Sequence, residues 1–179
     1  MNKKLNVGCG KNIKSGWINL DIVDLPGVDV VYNIENLPLP FDDDMFDIIL
    51  CQDVLEHIEY IPVIRDLHRI LKKGGKLQIR VPHFSSRRNY EDPTHRKMFS
   101  IRTFEFFINN SYAKRDYYFD YHFERISYSK IIFEKHFFFY NYLIEMFVNS
   151  NRRIKKILFE ATFLSRLFPA EHIALELIK

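Results

Sequence analysis

A short apolar run, a glycine turn and an acidic residue follow one another closely at the start of this 179-residue chain. Leu5–Val7 reads as a buried strand, Gly8 and Gly10 end it, and Asp21 closes a second apolar run at 17–22. Glycine lets the backbone turn left-handed and approach a ligand closely. An acidic strand tip can accept hydrogen bonds from the two hydroxyls of a ribose. We therefore expect a Rossmann-like sheet that holds a ribose-bearing cofactor.

The spacing between these features limits what can connect them. From Gly10 to Asp21 there is too little chain for a strand–helix–strand crossover of normal length. The same holds between the second strand and a third at 28–32, which follows the Pro26-Gly27 turn. We expect the first crossover helices to be shortened or absent. One edge of the cofactor site is then open, or covered by a partner such as a second copy of the chain.

The next segment predicts an alternating α/β pattern. Residues 46–51 form a near-continuous apolar run, as expected of a central parallel strand. Apolar residues repeat at helical spacing over 62–73, Gly74 supplies a left-handed stop, and a strand follows at 76–81. This order predicts a mostly parallel sheet, whose ligands bind at the carboxyl ends of the strands. Asp21, Asn33, Gln52, Asp53 and His83 all fall at such ends.

The second half of the chain has a different composition. Residues 84–128 mix arginines with phenylalanines and tyrosines, which predicts an aromatic and basic lid insertion with one helix near 101–108. Residues 140–167 are expected to be mostly helical, and 173–178 a final strand. We predict a single domain. Its cofactor-binding half is 1–83, its lid and acceptor region 84–128, and its C-terminal helix and final strand lie in 129–179.

The charge distribution and the cysteine content bear on the partners of the protein and on its location in the cell. Residues 1–60 carry 4 Lys/Arg and 11 Asp/Glu, whereas residues 61–179 carry 22 and 12. This split fits either an anionic partner or solvated helix faces. The basic cluster 152–156, with apolar neighbours to 159, fits a solvated helix face or a peripheral membrane contact. Two cysteines in apolar runs and no apolar segment behind Met1–Lys4 predict a cytoplasmic protein.

The glycine turn also indicates the kind of cofactor. Gly10 is followed by Lys11-Asn12-Ile13, so the third glycine of a dinucleotide fingerprint is missing. Without that glycine and a helix N-terminus close behind it, little remains to hold a pyrophosphate. The pattern disfavours NAD and FAD and favours a cofactor with a ribose but no phosphate.

Four motifs now carry a resemblance to a known family. Leu5–Gly10 resembles motif I of class I S-adenosylmethionine-dependent methyltransferases, and 37–49 resembles the family's loop into strand four. Residues 54–58 match its V-L-E-H segment, and 69–77 are similar to its R-x-L-K-P-G-G turn, with Lys73 in place of proline. These motifs span about 5–82 in the family's order. Two further segments, 92–95 and 168–173, resemble a branch linked to glycan and surface-polysaccharide synthesis.

The resemblance implies S-adenosylmethionine as cofactor and assigns roles to single residues. Asp21 would bind the ribose hydroxyls, and Ile22 would pack on the adenine. Asn33 stands where the family usually has an aspartate facing the adenine amine, and its amide oxygen can still accept. Gln52 would face the methionine end. The candidate cofactor-binding residues are Gly8, Cys9, Gly10, Asp21, Ile22, Asn33, Ile34, Gln52, Asp53 and His57.

Methyl transfer asks mainly for in-line positioning, with a base near the acceptor in many O- and N-methyltransferases. His95 in the lid and His83 after strand five are the candidate catalytic residues. Structural alternatives stay open. Asp92-Pro93 can simply start a turn with Thr94 capping a helix, and His57 can tie down a loop. The aromatic stripe from 99 to 147 fits core packing better than stacking on bases. His83, Asp92 and His95 lack diagnostic metal spacing, so no metal is predicted.

The expected function is methylation of a sugar or another small polar acceptor, anionic acceptors included, with O-methylation favoured. A non-catalytic module that binds S-adenosylmethionine is one alternative, because Asn33 departs from the family and the helices are trimmed. An RNA methyltransferase that uses the basic half is another. The chain lacks the Asn/Asp-Pro-Pro-Tyr/Phe signature of enzymes that methylate amino groups of nucleic acids, so nucleic acid is not the favoured partner.

Overall fold

The computed structural model describes residues 2–109, 116–136, 138–150 and 154–179. One seven-stranded sheet has the order β3-β2-β1-β4-β5-β7-β6. Strand β7 is antiparallel to both of its neighbours, and the other paired strands are parallel. The mostly parallel α/β sheet is therefore confirmed. The strands are β1 Lys4–Val7, β2 Ile18–Asp21, β3 Val30–Val31, β4 Phe46–Gln52, β5 Leu71–Pro82, β6 Arg125–Ile132 and β7 His172–Ile178.

No helix interrupts the fully described segment from β1 to β4. The expected loss of the first crossover helices is confirmed. Two strands are shorter than the sequence suggests: β2 occupies Ile18–Asp21 within the expected 17–22, and β3 keeps only Val30–Val31 of the expected 28–32. At the β3-β2-β1 end of the sheet, loops rather than helices therefore connect the short strands.

Two buried asparagines organise the loop that replaces the first crossover. Asn6 of β1 and Asn19 of β2 face each other in register, and both are 3% exposed. The Asn6 side-chain amide donates to the Asn12 carbonyl (2.9 Å) and to Asn19 Oδ1 (3.0 Å). Asn19 Oδ1 also accepts from the Lys14 N–H (2.9 Å), and its amide donates to the Lys14 carbonyl (3.2 Å). These side chains satisfy backbone groups that a helix would pair internally.

Helix α1 spans Tyr60–Ile70 and crosses from β4 to β5. Its side chains Val63, Ile64 and Leu67 are fully buried in the hydrophobic core. The predicted helix 62–73 was too long at its end, because Leu71 is already extended and pairs with Phe46. Gly74 has the expected positive φ of 75°, yet it lies inside β5 and its N–H donates to the Lys179 carbonyl (2.6 Å). The prediction that Gly74 ends the helix is therefore wrong.

The second half contains more breaks than its composition suggested. The helix expected at 101–108 is a 3-10 segment, Thr103–Phe107, and the helical region 140–167 divides into three helices. Strand β6 was not predicted, because RISYSKII has an interrupted polar alternation and buries only Ile131 fully. The helices are α2 Arg88–Glu91, α3 Asn141–Asn149, α4 Ile154–Ala161 and α5 Leu164–Leu167; 3-10 segments also occur at Leu55–His57 and Asp116–Tyr118.

Four aromatic side chains from the predicted lid belong to the core. Phe99, Phe104, Phe107 and Phe123 are each at most 2% exposed. Phe99 meets Tyr60 of α1 edge to face, with ring centroids 5.2 Å apart. Buried rings cannot stack on bases, so this part of the stripe serves packing, as favoured from the sequence.

The basic cluster at 152–156 is only partly a surface feature. Arg152 and Arg153 lie outside the described residues. Lys156 of α4 is 3% exposed, and its ammonium donates to the Ser129 carbonyl and to Ser129 Oγ (3.1 Å). Burial lowers the pKa of Lys156. A solvated role for Lys156 is therefore wrong. Within the described ranges, no helix has the length and apolarity needed to cross a membrane.

His68 of α1 provides a pH-dependent element of stability. Its ring packs edge to face on Phe123, with centroids 4.9 Å apart, and Nε2 lies 3.1 Å from the His122 carbonyl. Burial lowers the pKa of His68 to about 4, whereas an unfolded histidine titrates near about 6.5. The unfolded chain thus binds more protons between these values, so this contribution is complete above pH 6.5 and is lost as the pH falls towards 4.

We expect the chain to lose about 2 kcal/mol more stability between pH 7 and pH 5 than the variant His68→Gln, which cannot titrate. Urea denaturation of both proteins at the two pH values measures this difference. Equal losses in the two proteins would show that His68 is protonated as readily in the fold as in the unfolded chain.

Candidate functional site

The glycine turn after β1 has two glycines that are needed for different reasons. Gly8 and Gly10 have φ of 62° and 50°, in the left-handed region. A Cβ on Gly8 would lie 2.3 Å from Val54 Cγ2, whereas a Cβ on Gly10 would meet no atom within 4 Å. Gly8 is thus required by packing against the loop after β4. Gly10 borders open space, as a ligand cleft at this turn requires.

Asp21 at the tip of β2 holds that turn in place. Its Oδ2 accepts the Gly10 N–H (2.7 Å), and its Oδ1 accepts the Val23 N–H (3.0 Å). Each carboxylate oxygen can accept more than one hydrogen bond. The carboxylate therefore keeps acceptor capacity for two vicinal hydroxyls beside an open turn, and the site fits the ribose of S-adenosylmethionine.

The adenine side of the predicted site is only partly formed. Ile22 is 62% exposed and offers an apolar surface to a ring. Asn33 Oδ1 accepts the Glu35 N–H (3.0 Å), which leaves it capacity for one further donor. Ile34 is 7% exposed and belongs to the core, so its side chain does not present a cofactor contact. Cys9 is buried, and that burial raises the pKa of its thiol.

The end of β4 carries Gln52 and Asp53. Gln52 is half-buried at the strand tip, where the methionine end of the cofactor is expected. Asp53 has a positive φ of 55° and forms a two-point ion pair with Arg80, whose Nε donates to Oδ1 at 3.0 Å. Hydrogen bonding to Asp53 raises the pKa of Arg80. Arg80 therefore balances the charge of Asp53, which lines the polar pocket beyond this strand end.

A polar pocket of about 470 Å³ lies beyond the carboxyl ends of β4 and β5. Val54, which packs against Gly8, links its wall to the glycine turn. Carboxylates, imidazoles and one guanidinium dominate the lining, so the pocket suits a polar ligand. The lining residues are Asp53, Glu56, His57, Pro82, Arg88, Glu91, Asp92, Pro93, His95 and His172.

His57 and Asp92 are joined through a threonine. Thr94 Oγ1 donates to Asp92 Oδ1 (2.6 Å) and lies 2.8 Å from His57 Nδ1. Since the hydroxyl proton goes to the carboxylate, Thr94 accepts from His57 Nδ1–H, which leaves Nε2 with a free lone pair. Asp92 Oδ1 also accepts the Thr94 N–H (2.9 Å). The expected Asp92-Pro93 turn is present, but no helix follows for Thr94 to cap.

His95 packs beside His57, with ring centroids 4.7 Å apart and planes at 74°. Its side chain is 8% exposed, and Nε2 lies 3.7 Å from Asp92 Oδ2. Its Nδ1 has no hydrogen-bond partner among the described residues. Burial and the neighbouring His57 lower the pKa of His95. Of the two histidines predicted to be catalytic, His95 is the one that lines the pocket.

Glu56 lies under this pair of rings. It is 1% exposed, and within the described parts of the chain its Oε2 has no hydrogen-bond partner. Burial raises the pKa of Glu56 to about 8. The Glu56 carbonyl accepts the N–H groups of Arg96 (2.8 Å) and Lys97 (3.2 Å), which ties the His95 segment to the 3-10 segment Leu55–His57 after β4.

His83 has a different environment. It is fully buried, with Nδ1 2.7 Å from Ser85 Oγ and Nε2 3.1 Å from Glu160 Oε1. Glu160 Oε1 also accepts the Ile101 N–H (2.6 Å). This network joins the end of β5 to α4 and leaves no ring nitrogen for an acceptor. The structure therefore does not support His83 as a base.

Two residues that line the pocket, Arg88 and His172, were not among the candidate site residues. His172 enters the pocket because β7 is antiparallel to β5 and begins beside Pro82. Arg88 is held by Glu171, with Nε–Oε1 at 2.9 Å. The antiparallel direction of β7 brings Glu171 and His172 to the carboxyl end of β5. The sequence pattern does not indicate the direction of a strand, so this placement was not predicted.

Comparisons with known proteins agree with this geometry. Residues 5–79 match the family described as "Methyltransferase domain". A crystal structure of a SAM-dependent methyltransferase from Archaeoglobus fulgidus is 20% identical, with TM-score 0.63, covering 99% of this chain and 86% of that one. The [4+2]-cyclase SpnF is 15% identical, with TM-score 0.59, covering 99% of this chain and 75% of that one. An uncharacterised Methanocaldococcus jannaschii protein is 36% identical over 84 residues.

The family match covers less than half of this chain, so residues 5–79 are similar to a methyltransferase domain, and the solved structure shows that the fold is shared. The alignment with the Methanocaldococcus jannaschii protein covers 42% of this chain and 37% of that relative's length. SpnF, named as a cyclase, has a similar fold. The reaction must therefore be argued from the site.

Proposed function

We propose that this protein transfers the methyl group of S-adenosylmethionine to a hydroxyl of a sugar or another small polar acceptor. The polar pocket beside the glycine turn carries this proposal. Its volume of about 470 Å³ suits a small ligand, and its imidazoles and carboxylates can bind hydroxyls. The contact between Gly8 and Val54 supports placing the acceptor next to the cofactor.

The bound cofactor supplies an activated methyl group. The chain's own task is to hold that group and the acceptor oxygen in line and to keep the hydroxyl polarised. Asp21 and the Gly8–Gly10 turn hold the cofactor and its methyl group in place. His95 and its neighbours hold the acceptor hydroxyl and keep it polarised. Arg88, held beside Glu171, gives the pocket one cation for an acidic acceptor.

Incubation of the purified chain with methyl-labelled S-adenosylmethionine and separate acceptor pools tests the reaction. The pools are nucleotide-sugars, simple glycosides, lipid-linked glycans and RNA. We expect label and S-adenosylhomocysteine with a sugar pool. Labelled RNA would favour the RNA methyltransferase, and bound cofactor with no transfer to any pool would favour the binding module.

The structure lends the RNA alternative little support. Several cations of the basic half are paired with carboxylates, including Arg80 with Asp53, Arg88 with Glu171, and Lys130 with Glu145. Paired cations attract a phosphate backbone weakly. RNA therefore stays an outcome of the acceptor test.

The variant His95→Asn is expected to lower the rate of methyl transfer by about 10²- to 10⁴-fold, the usual effect of removing an imidazole that assists the acceptor. Binding of S-adenosylhomocysteine, measured by calorimetry, should change little. The control His83→Asn alters a buried histidine outside the pocket, so any lost activity there should follow lost folded protein. Normal turnover by folded His95→Asn protein would remove His95 from the reaction.

An anionic membrane surface is the setting that the C-terminal helices favour. Helix α3 leaves Leu143, Met146 and Phe147 more than half exposed, and Phe163 beside α5 is 71% exposed. Lys155 lies over the Phe147 ring at 4.3 Å. Apolar side chains flanked by lysine suit a peripheral contact. Binding to vesicles of anionic lipid, weakened in Phe147→Ser, supports this setting, and no sedimentation with such vesicles argues against it.

The open edge of the cofactor site suits a second copy of the chain. Ile22, Val23 and Val31 are each more than half exposed at this edge, and β3 has only two paired residues. Light scattering should give a dimer mass that falls in Val31→Lys. A monomer mass at every concentration would contradict this arrangement.

A further inference from the structure

We propose that Glu56, His57 and His95 bind a divalent transition-metal ion, with Zn²⁺ as the ion of first choice. One ligand atom from each residue lies within 4.8 Å of the others. The sequence disfavoured a metal site built on His83, Asp92 and His95. The structure offers a different set, in which Glu56 and His57 replace His83 and Asp92.

Two buried atoms without partners point to a missing ligand. Glu56 Oε2 and His95 Nδ1 are both shielded from solvent and make no hydrogen bond to a described residue. A buried carboxylate without a partner costs free energy comparable to several hydrogen bonds, and a cation removes that cost.

A hydrogen bond orients the His57 imidazole, and the same carboxylate lies close to the His95 ring. Asp92 acts through Thr94 on His57 Nδ1, and its other oxygen lies 3.7 Å from His95 Nε2. His57 Nε2 is then left with a lone pair, and His95 Nδ1 is the buried nitrogen without a partner among the described residues. A carboxylate that holds the far nitrogen of a ligating histidine is a common feature of metal sites.

Ligand atoms of the three residues, one from each, lie within 4.8 Å of one another, a separation that is compatible with an ion. Bonds of about 2.0–2.2 Å in a tetrahedral zinc site put ligand atoms about 3.4 Å apart. The side chains therefore need to close by about 1.4 Å at most. Three protein ligands leave a fourth position, and this position opens on the polar pocket.

For its chemical role the inference rests on the proposed function. The ion, held by these three side chains, would take the acceptor hydroxyl at its open position and lower the pKa of that hydroxyl. The hydroxyl proton passes to water, the oxygen bonds to the methyl carbon, and the carbon–sulfur bond breaks with its electron pair staying on sulfur. The ion keeps its charge throughout. His95 then acts as a ligand, and the ion takes over activation of the hydroxyl.

The test is Zn²⁺ binding by the full chain after treatment with a chelator. Titration calorimetry should give one ion per chain, and Co²⁺ should give the visible absorption of a four-coordinate site. We expect Glu56→Gln and His95→Gln to abolish binding and Asp92→Asn to weaken it about 10- to 100-fold. His172→Gln is the matched control, because His172 lines the same pocket outside the ligand set, and it should bind Zn²⁺ as the unaltered chain does.

Absence of saturable binding of Zn²⁺, Mn²⁺ and Fe²⁺ to the unaltered chain would overturn the proposal. So would an equal loss of affinity in His172→Gln and His95→Gln. These results need no methyl acceptor, so they are independent of the proposed function. Methyl transfer that survives full metal removal would leave the function standing and remove the ion's role. A bound ion without transfer to any acceptor would leave the metal site standing and remove the proposed function.

Discussion

Asp21→Ala is expected to bind S-adenosylhomocysteine at least about a hundredfold more weakly than the unaltered chain. Hydrogen bonds to a charged group contribute about 1.5–3 kcal/mol each, so losing two of them costs about 3 kcal/mol or more. The variant also releases the Gly10 and Val23 N–H groups, which the carboxylate holds at 2.7 and 3.0 Å. Calorimetry with S-adenosylhomocysteine measures the change.

Asp24→Asn is the matched control, because it removes an exposed carboxylate three residues away from Asp21. It should bind the product with nearly unchanged affinity. The circular dichroism spectrum of Asp21→Ala should show a folded protein, since the sheet core does not include this side chain. Unchanged affinity in folded Asp21→Ala would mean that the ribose lies elsewhere.

Gly8→Ala is expected to destabilise the fold by about 3 kcal/mol. A left-handed φ costs an alanine about 1–2 kcal/mol, and the new Cβ would lie 2.3 Å from Val54 Cγ2. Forcing an extra methyl into a packed contact costs a further 1–3 kcal/mol, roughly. The shift also moves Val54, which links the glycine turn to the wall of the polar pocket, so we expect binding of S-adenosylhomocysteine to weaken as well.

The variant Gly10→Ala separates the backbone cost of a left-handed φ from the cost of the packing clash. Its φ is also left-handed, but its Cβ would meet nothing within 4 Å. Only the backbone cost of about 1–2 kcal/mol should remain. The double variant Gly8→Ala with Val54→Ala should recover part of the lost stability in urea. If Gly8→Ala and Gly10→Ala cost the same, the Val54 contact is not what requires Gly8.

The cofactor half was predictable because its signals are local. The turn at Gly8–Gly10, the acidic tip Asp21 and the apolar run of β4 each depend on adjacent residues. Chain length alone excluded the first crossover helices. The buried pair Asn6 and Asn19 was not predicted, because asparagine side chains that replace a helix carry no periodic pattern.

The acceptor half was harder to predict because its geometry depends on distant contacts. His83 was expected after strand five and His95 in the lid, yet only the structure shows that Glu160, 77 residues beyond His83, engages His83. Strand β6 was not predicted, because its sequence does not alternate regularly between apolar and polar residues. The pocket wall at His172 depends on the antiparallel direction of β7, which short-range pattern does not encode.

The short loop between β1 and β2 also bears on the order in which the sheet assembles. Asn6 pairs with Asn19, only 13 positions away, whereas a parallel pair joined by a helix usually needs about 30 residues or more. The shorter loop lowers the entropic cost of closure by about 0.7 kcal/mol. Gln78 and Glu176, neighbours in β5 and β7, are 98 residues apart. The β1–β2 pair is therefore positioned to form early in folding, with the acceptor pocket completed only when the last strand docks.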